Sequence, residues 1–87
     1  MMIHVELIGV LRTLADARTL RIELDEPALV SCLLQKLSEE VLQHAETLCR
    51  SNLLILKNGV EINVLKGVHT ELKNHDTITL VPISHGG

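Results

Sequence analysis

Ile3, Val5 and Leu7 alternate with His4 and Glu6, which is the period of a strand with one buried face. Gly9 is followed by Val10 to Arg18, a connector with some helical character whose apolar residues share no clear face. A second alternation sets Leu20, Ile22 and Leu24 against Arg21, Glu23 and Asp25. The two segments predict a hairpin with a longer loop than the tight two-residue kind. Asp25-Glu26-Pro27 breaks the second strand, and from Val30 the period changes. Val30, Leu33, Leu34, Leu37, Val41, Ala45 and Leu48 recur at three and four residues, with Gln35, Lys36, Glu39, Glu40 and Gln43 between them. That stripe predicts an amphipathic helix of about four turns with its apolar side in the core. Ser31 is the available cap at its start, although Leu34 three places on is no capping-box partner.

Strand signals resume at Leu53 to Lys57, and Asn58-Gly59 separates them from Val60 to Val64. Asn-Gly between apolar segments is the strongest short hairpin signal, because a type I′ turn needs positive φ at both central residues. Leu65 to Asp76 is polar and irregular, with a short turn at Thr70-Glu71-Leu72, and the last strand, Thr77 to Val81, stops at Pro82. The order strand, strand, helix, strand, strand, strand gives an α+β fold, a mixed sheet with the helix on one face. Ile78 and Leu80 fall on one face of the last strand, and Thr77, Thr79 and Val81 on the other. Leu53 to Leu56 is apolar on both parities while the helix covers only one face. Leu54, Leu56 and Val81 are therefore expected to form an exposed apolar patch that serves partner docking. Burial under loops is the alternative for those three.

The 87 residues support one domain. With 46% hydrophobic and 22% charged residues the chain is not disordered. A net charge of -3, no Lys/Arg cluster and no Phe, Tyr or Trp argue against nucleic acid as a partner. No apolar run approaches the roughly 20 residues of a membrane span, and no signal peptide is evident. No membrane partner and a cytoplasmic location are expected. Cys32 and Cys49 make no disulfide framework and read as small core residues. His4, His44, His69, His75 and His85 are scattered without metal-ligand spacing, so no metal site is expected and most should lie on the surface. No nucleophile with a placed base and no phosphate loop is present, and Asp25-Glu26 and Glu39-Glu40 read as solvated charges. The chain does not read as an enzyme.

The informative feature is Pro82-Ile83-Ser84-His85-Gly86-Gly87, with Gly87 the last residue. Proline stops sheet pairing and directs residues 83–87 away as a flexible tail from a domain spanning residues 1–82. Glycine has no Cβ, so an extended Gly-Gly segment enters a narrow channel and presents its carboxylate without steric conflict. A frayed end without chemistry is the plain alternative.

On these residues the chain resembles the MoaD/ThiS group of ubiquitin-like sulfur carriers, which includes the ubiquitin-related modifiers and archaeal small modifier proteins. The resemblance spans the whole chain through Leu11-Arg12-Thr13-Leu14, the helix start at Val30, Asn58-Gly59, Leu72 to Ile78 and Gly86-Gly87. The segment before the last strand is similar to the family's L-x-D/N-G-D-x-V turn, with His75 where glycine is common. Ile83 stands for the second proline of the family's tail, and Val81 stands where relatives often have Phe. The resemblance implies a ubiquitin-like β-grasp of about five strands (ββαβββ), its first and last strands parallel at the sheet centre. It implies that a ubiquitin-activating-type enzyme uses ATP to adenylate Gly87, and that a sulfur donor converts the adenylate to a thiocarboxylate. Pro82, Ile83, Ser84, His85 and Gly86 would enter the partner's site, and no cofactor would be held stably. The implied role is the small subunit of molybdopterin synthase, paired with a MoaE-like large subunit in molybdenum cofactor biosynthesis. The alternatives are a tRNA-thiolation carrier or a protein modifier joined to a target lysine.

Overall fold

The computed structural model describes residues 1–41 and 53–83. Strands β1 (Met2–Leu7) and β2 (Thr19–Glu23) form the expected antiparallel hairpin, joined through the short helix α1 (Val10–Ala15). Strand β3 (Ala28–Leu29) leads directly into α2 (Val30–Glu40), and β4 (Leu53–Lys57), β5 (Val60–Glu61), β6 (Glu71–Leu72) and β7 (Thr77–Pro82) complete the order. The main sheet runs β2-β1-β7-β4-β5. Only the β1–β7 pair is parallel among its pairings, so the first and last strands meet at the centre as expected. This is the β-grasp arrangement.

One face of the sheet closes on α2. Ile3, Val5 and Leu7 of β1, Ile78 and Leu80 of β7, and Val30, Leu33 and Leu37 of α2 have no exposed surface. Each such side chain contributes about 1.5–3 kcal/mol by leaving water. With no Phe, Tyr or Trp in the chain, branched aliphatics fill this space, and Leu11, Leu53, Ile55, Ile62 and Leu72 extend it.

Several local expectations are corrected. The connector after Gly9 is a true helix that buries Leu11 while Val10 and Leu14 face outward, which explains why its apolar residues suggest no single face. Arg12 Nε donates to the Leu7 carbonyl at 2.7 Å and fastens α1 to the end of β1. Ser31 does not cap α2. The N-cap is Leu29, which offers no side-chain cap bond, and the N–H of Val30, the first helical residue, donates instead to the Thr70 carbonyl at 3.0 Å. Cys32 is exposed rather than in the core, because the buried stripe follows Val30, Leu33 and Leu37 and position 32 lies off it. Val41 closes α2 and packs on the core, while Ala45, Leu48, His44 and Cys49 lie outside the described residues.

The segment after Asn58-Gly59 also departs from a simple strand. Asn58 and Gly59 have φ of 49° and 85°, as the hairpin reading requires. Pairing then lasts two residues before a 3₁₀ turn, Ile62–Val64, begins. The Glu61 carboxylate accepts the Asn63 N–H and caps that turn. Ile62 rotates into the core while Val64 is left 77% exposed, whereas a strand would place both on one face. Residues expected to be irregular contain a second 3₁₀ turn, Gly67–His69, and β6, which pairs Leu72 with Ala28 and Glu71 with Leu29. Two-residue strands have no period to read. Finally, β7 includes Pro82, opposite Leu53, so the strand runs one residue past its expected end.

Candidate functional site

The site is organised by β7, which is flanked by β1 on one side and β4 on the other. A central strand has its backbone groups paired on both edges, so whatever follows it starts from a rigid point. Alternation sends Ile78 and Leu80 into the core and leaves Thr77, Thr79 and Val81 on the face opposite α2. On β4 the same alternation buries Leu53 and Ile55 and leaves Leu54 and Leu56 half-buried. Register then sets Leu54 opposite Val81 and Leu56 opposite Thr79. Leu54, Leu56 and Val81 thus share one half-exposed face beside the end of β7. On the other side Thr79 Oγ1 donates to Glu6 Oε2 at 3.5 Å, which gives the apolar surface a polar border.

The chain leaves the sheet where Gly9 lies against Pro82. Ile8 N–H donates to the Leu80 carbonyl at 3.1 Å, which carries the β1–β7 pairing past Leu7. Gly9 follows with φ of 62°, and a Cβ there would lie 3.9 Å from Pro82 Cδ. Pro82 is half-buried and Ile83 is 43% exposed. Ser84, His85, Gly86 and Gly87 lie outside the described residues. Sequence reasoning missed Val10 and Leu14, which are 48% and 49% exposed on α1, a helix in contact with β7. Their i, i+4 spacing was the available signal.

The other end of β7 is polar. Asp76 is 8% exposed and accepts from the Lys73 N–H at 2.7 Å and from Asn58 Nδ2 at 2.9 Å, with Lys57 Nζ at 3.7 Å. Asn58 Oδ1 in turn accepts from the Thr77 N–H at 2.9 Å. Burial pushes the Asp76 carboxyl up, but the Asn58 amide, the Lys73 N–H and the Lys57 charge outweigh it and hold its pKa below the ordinary value. The Asn58-Gly59 turn and the turn before β7 are therefore one linked unit. Next to it His4 and His75, far apart in sequence, come together. Among the described residues no group of three or more His, Cys, Asp or Glu side chains converges, and no helix is long and apolar enough to cross a membrane.

The model of the ThiS family matches residues 5–87. The chain belongs to the ThiS family. Small archaeal modifier protein 1 from Methanosarcina acetivorans is 28% identical with a TM-score of 0.79, covering 99% of this chain and 96% of its own. Urm1 from Trypanosoma brucei is 24% identical with a TM-score of 0.78, covering 99% and 95%. A chain of the complex of subunits 1 and 2 of molybdopterin-converting factor from Helicobacter pylori is 22% identical with a TM-score of 0.66, covering 100% of both chains. No curated protein sequence matches. The ThiS-family chain is thus a ubiquitin-like β-grasp protein of the sulfur-carrier group, whose members are small carrier or modifier proteins.

Proposed function

We propose that this ThiS-family chain is a sulfur carrier whose reactive group is the Gly87 carboxylate, acting as a MoaD-like small subunit of molybdopterin synthase. The supporting observation is the placement of β7. The central strand delivers Pro82 to the sheet's end beside Leu54, Leu56 and Val81, and Gly86-Gly87 follows after three residues. A ubiquitin-activating-type enzyme supplies ATP, the Gly87 carboxylate attacks its α-phosphorus, and pyrophosphate leaves. Sulfide released by a donor then attacks the acyl carbon, AMP departs, and a thiocarboxylate remains. Pro82, Ile83, Ser84, His85 and Gly86 reach into the partner's site, and Leu54, Leu56 and Val81 bind the body of a MoaE-like large subunit. The Helicobacter pylori complex of two molybdopterin-converting factor subunits, one chain of which is similarly folded, favours that partner. The catalytic groups belong to the partners, and the chain itself holds no cofactor.

Incubation with a cognate activating enzyme, ATP and a sulfur source is expected to raise the intact mass by about 16 Da, the exchange of one oxygen for sulfur. An unchanged mass would overturn the reading. The thiocarboxylate form is then expected to convert a pterin precursor when the large subunit is added. Similarity to the archaeal modifier and to Urm1 supports a second reading, conjugation to lysine or sulfur delivery to tRNA. Conjugation predicts a tryptic branch running from Asn74 to Gly87 on target lysines, since Lys73 is the last lysine or arginine.

A further inference from the structure

The turn before β7 contains an unusual residue. His75 has φ of 69°, a left-handed conformation that costs free energy in any residue with a Cβ, and the family resemblance places glycine at this point. Such strain persists only where the surroundings enforce it. Here they do: Met2 N–H donates to Asn74 Oδ1 at 2.8 Å, His75 N–H to the Met2 carbonyl at 2.7 Å, and His4 N–H to the Asp76 carbonyl at 2.9 Å. These bonds lock the turn against β1. The result is that His4 Nε2 and His75 Nδ1 stand 3.4 Å apart, with ring centroids at 5.7 Å and planes 24° apart. The nitrogens therefore lie near the line joining the rings and face one another edge to edge.

We infer that His4 and His75 form a two-ligand site for a borderline divalent cation, holding Cu²⁺ more tightly than Zn²⁺. Two imidazole nitrogens bound at about 2.05 Å stand about 3.3 Å apart on a tetrahedral ion and about 2.9 Å apart in cis positions on a square-planar one. The pair is therefore already spaced for zinc and closes by about 0.5 Å for copper, whose intrinsic affinity for imidazole is the greater. A modest turn of each ring brings both lone pairs onto one ion. The ring that now donates its N–H toward the other moves that proton to its second nitrogen, so two neutral imidazoles coordinate without net proton change. His75 is exposed and His4 half-buried, which leaves the ion open to solvent. Among the described residues no further His, Cys, Asp or Glu joins them, so water completes the shell. Imidazole pairs favour copper over zinc by the general affinity order of divalent metals. The inference does not depend on the carrier chemistry at Gly87.

The test is calorimetric titration of the full chain with CuCl₂ and with ZnCl₂ in a non-coordinating buffer. One saturable site is expected, with copper tighter, and its occupancy should raise the melting temperature. His75→Gly suits the left-handed backbone and so removes the ring without harming the turn. It is expected to weaken binding by about 100-fold, because one remaining imidazole loses the intramolecular second contact. His4→Gln should do the same, while His69→Ala should leave binding unchanged. Full binding by the His75→Gly chain would overturn the inference, placing the metal on the N-terminal amine or on other histidines. Absence of saturable binding by the native chain would overturn it as well.

Discussion

At its N-terminal end β7 is held by Asp76, Asn58 and the backbone of Lys73, a network in which each polar group has a partner inside the fold. At its C-terminal end it is held through Val81 and Pro82, which lie opposite Leu54 and Leu53 and keep apolar area in contact with solvent. A satisfied buried network fixes geometry and offers a partner nothing to bond. Half-exposed aliphatic surface adds little to the isolated fold and gains when a second protein covers it. One strand therefore joins an end built for rigidity to an end with half-exposed apolar surface, where the proposed partner would dock.

The comparison requires that both ends depend on one core, and the largest effect follows from this. Leu80→Ala should destabilise the chain by about 2–5 kcal/mol in urea denaturation, through lost burial and a cavity, with both ends unfolding in one transition. Separate transitions would break the picture of a shared strand. Asp76→Ala should cost about 1–3 kcal/mol, because it leaves the Lys73 N–H and the Asn58 amide without their acceptor. The sign of its pH dependence follows from the lowered carboxyl. The native state binds that proton more weakly than the unfolded chain, so the contribution is complete above about pH 5 and is lost as pH falls through the folded value. Denaturation midpoints taken from about pH 6 down to about pH 3 should accordingly fall less steeply for Asp76→Asn than for the native chain.

At the other end Leu54→Asp should change stability by less than about 1 kcal/mol, since the side chain is only half-buried. Its affinity for the partner should nevertheless fall about tenfold or more by surface plasmon resonance. A large stability loss with unchanged affinity would assign Leu54 to the core and remove the contrast. The smallest effect is expected at the rigid end. In chelator-treated buffer His75→Gly should stabilise by about 0.5 kcal/mol, as relief of the left-handed backbone is partly offset by glycine's freedom in the unfolded state. A clear drop in melting temperature would mean that the His4–His75 contact outweighs the strain.

Much of this arrangement was legible beforehand where a period or a turn signal repeats over several residues. Ile3, Val5 and Leu7, the stripe beginning at Val30, and Asn58-Gly59 each report their own element, because alternation, helical spacing and positive φ are local properties. Leu54, Leu56 and Val81 were likewise separable from Leu53, Ile55, Ile78 and Leu80. Side-chain alternation alone divides them. The short pieces were not legible. Residues 62–64, 67–69 and 71–72 are too short for any period, and α1 divides its apolar residues between inside and outside.

By itself the sequence determined the main elements, their faces and the glycine pair that follows β7, since each depends on neighbours within a few positions. Only the tertiary structure decided the backbone acceptor at the start of α2, the bond network of Asp76, the corner where Gly9 meets Pro82 and the meeting of His4 with His75. Each of those joins residues from separate strands and turns, and such contacts come from sheet register, which no local pattern carries.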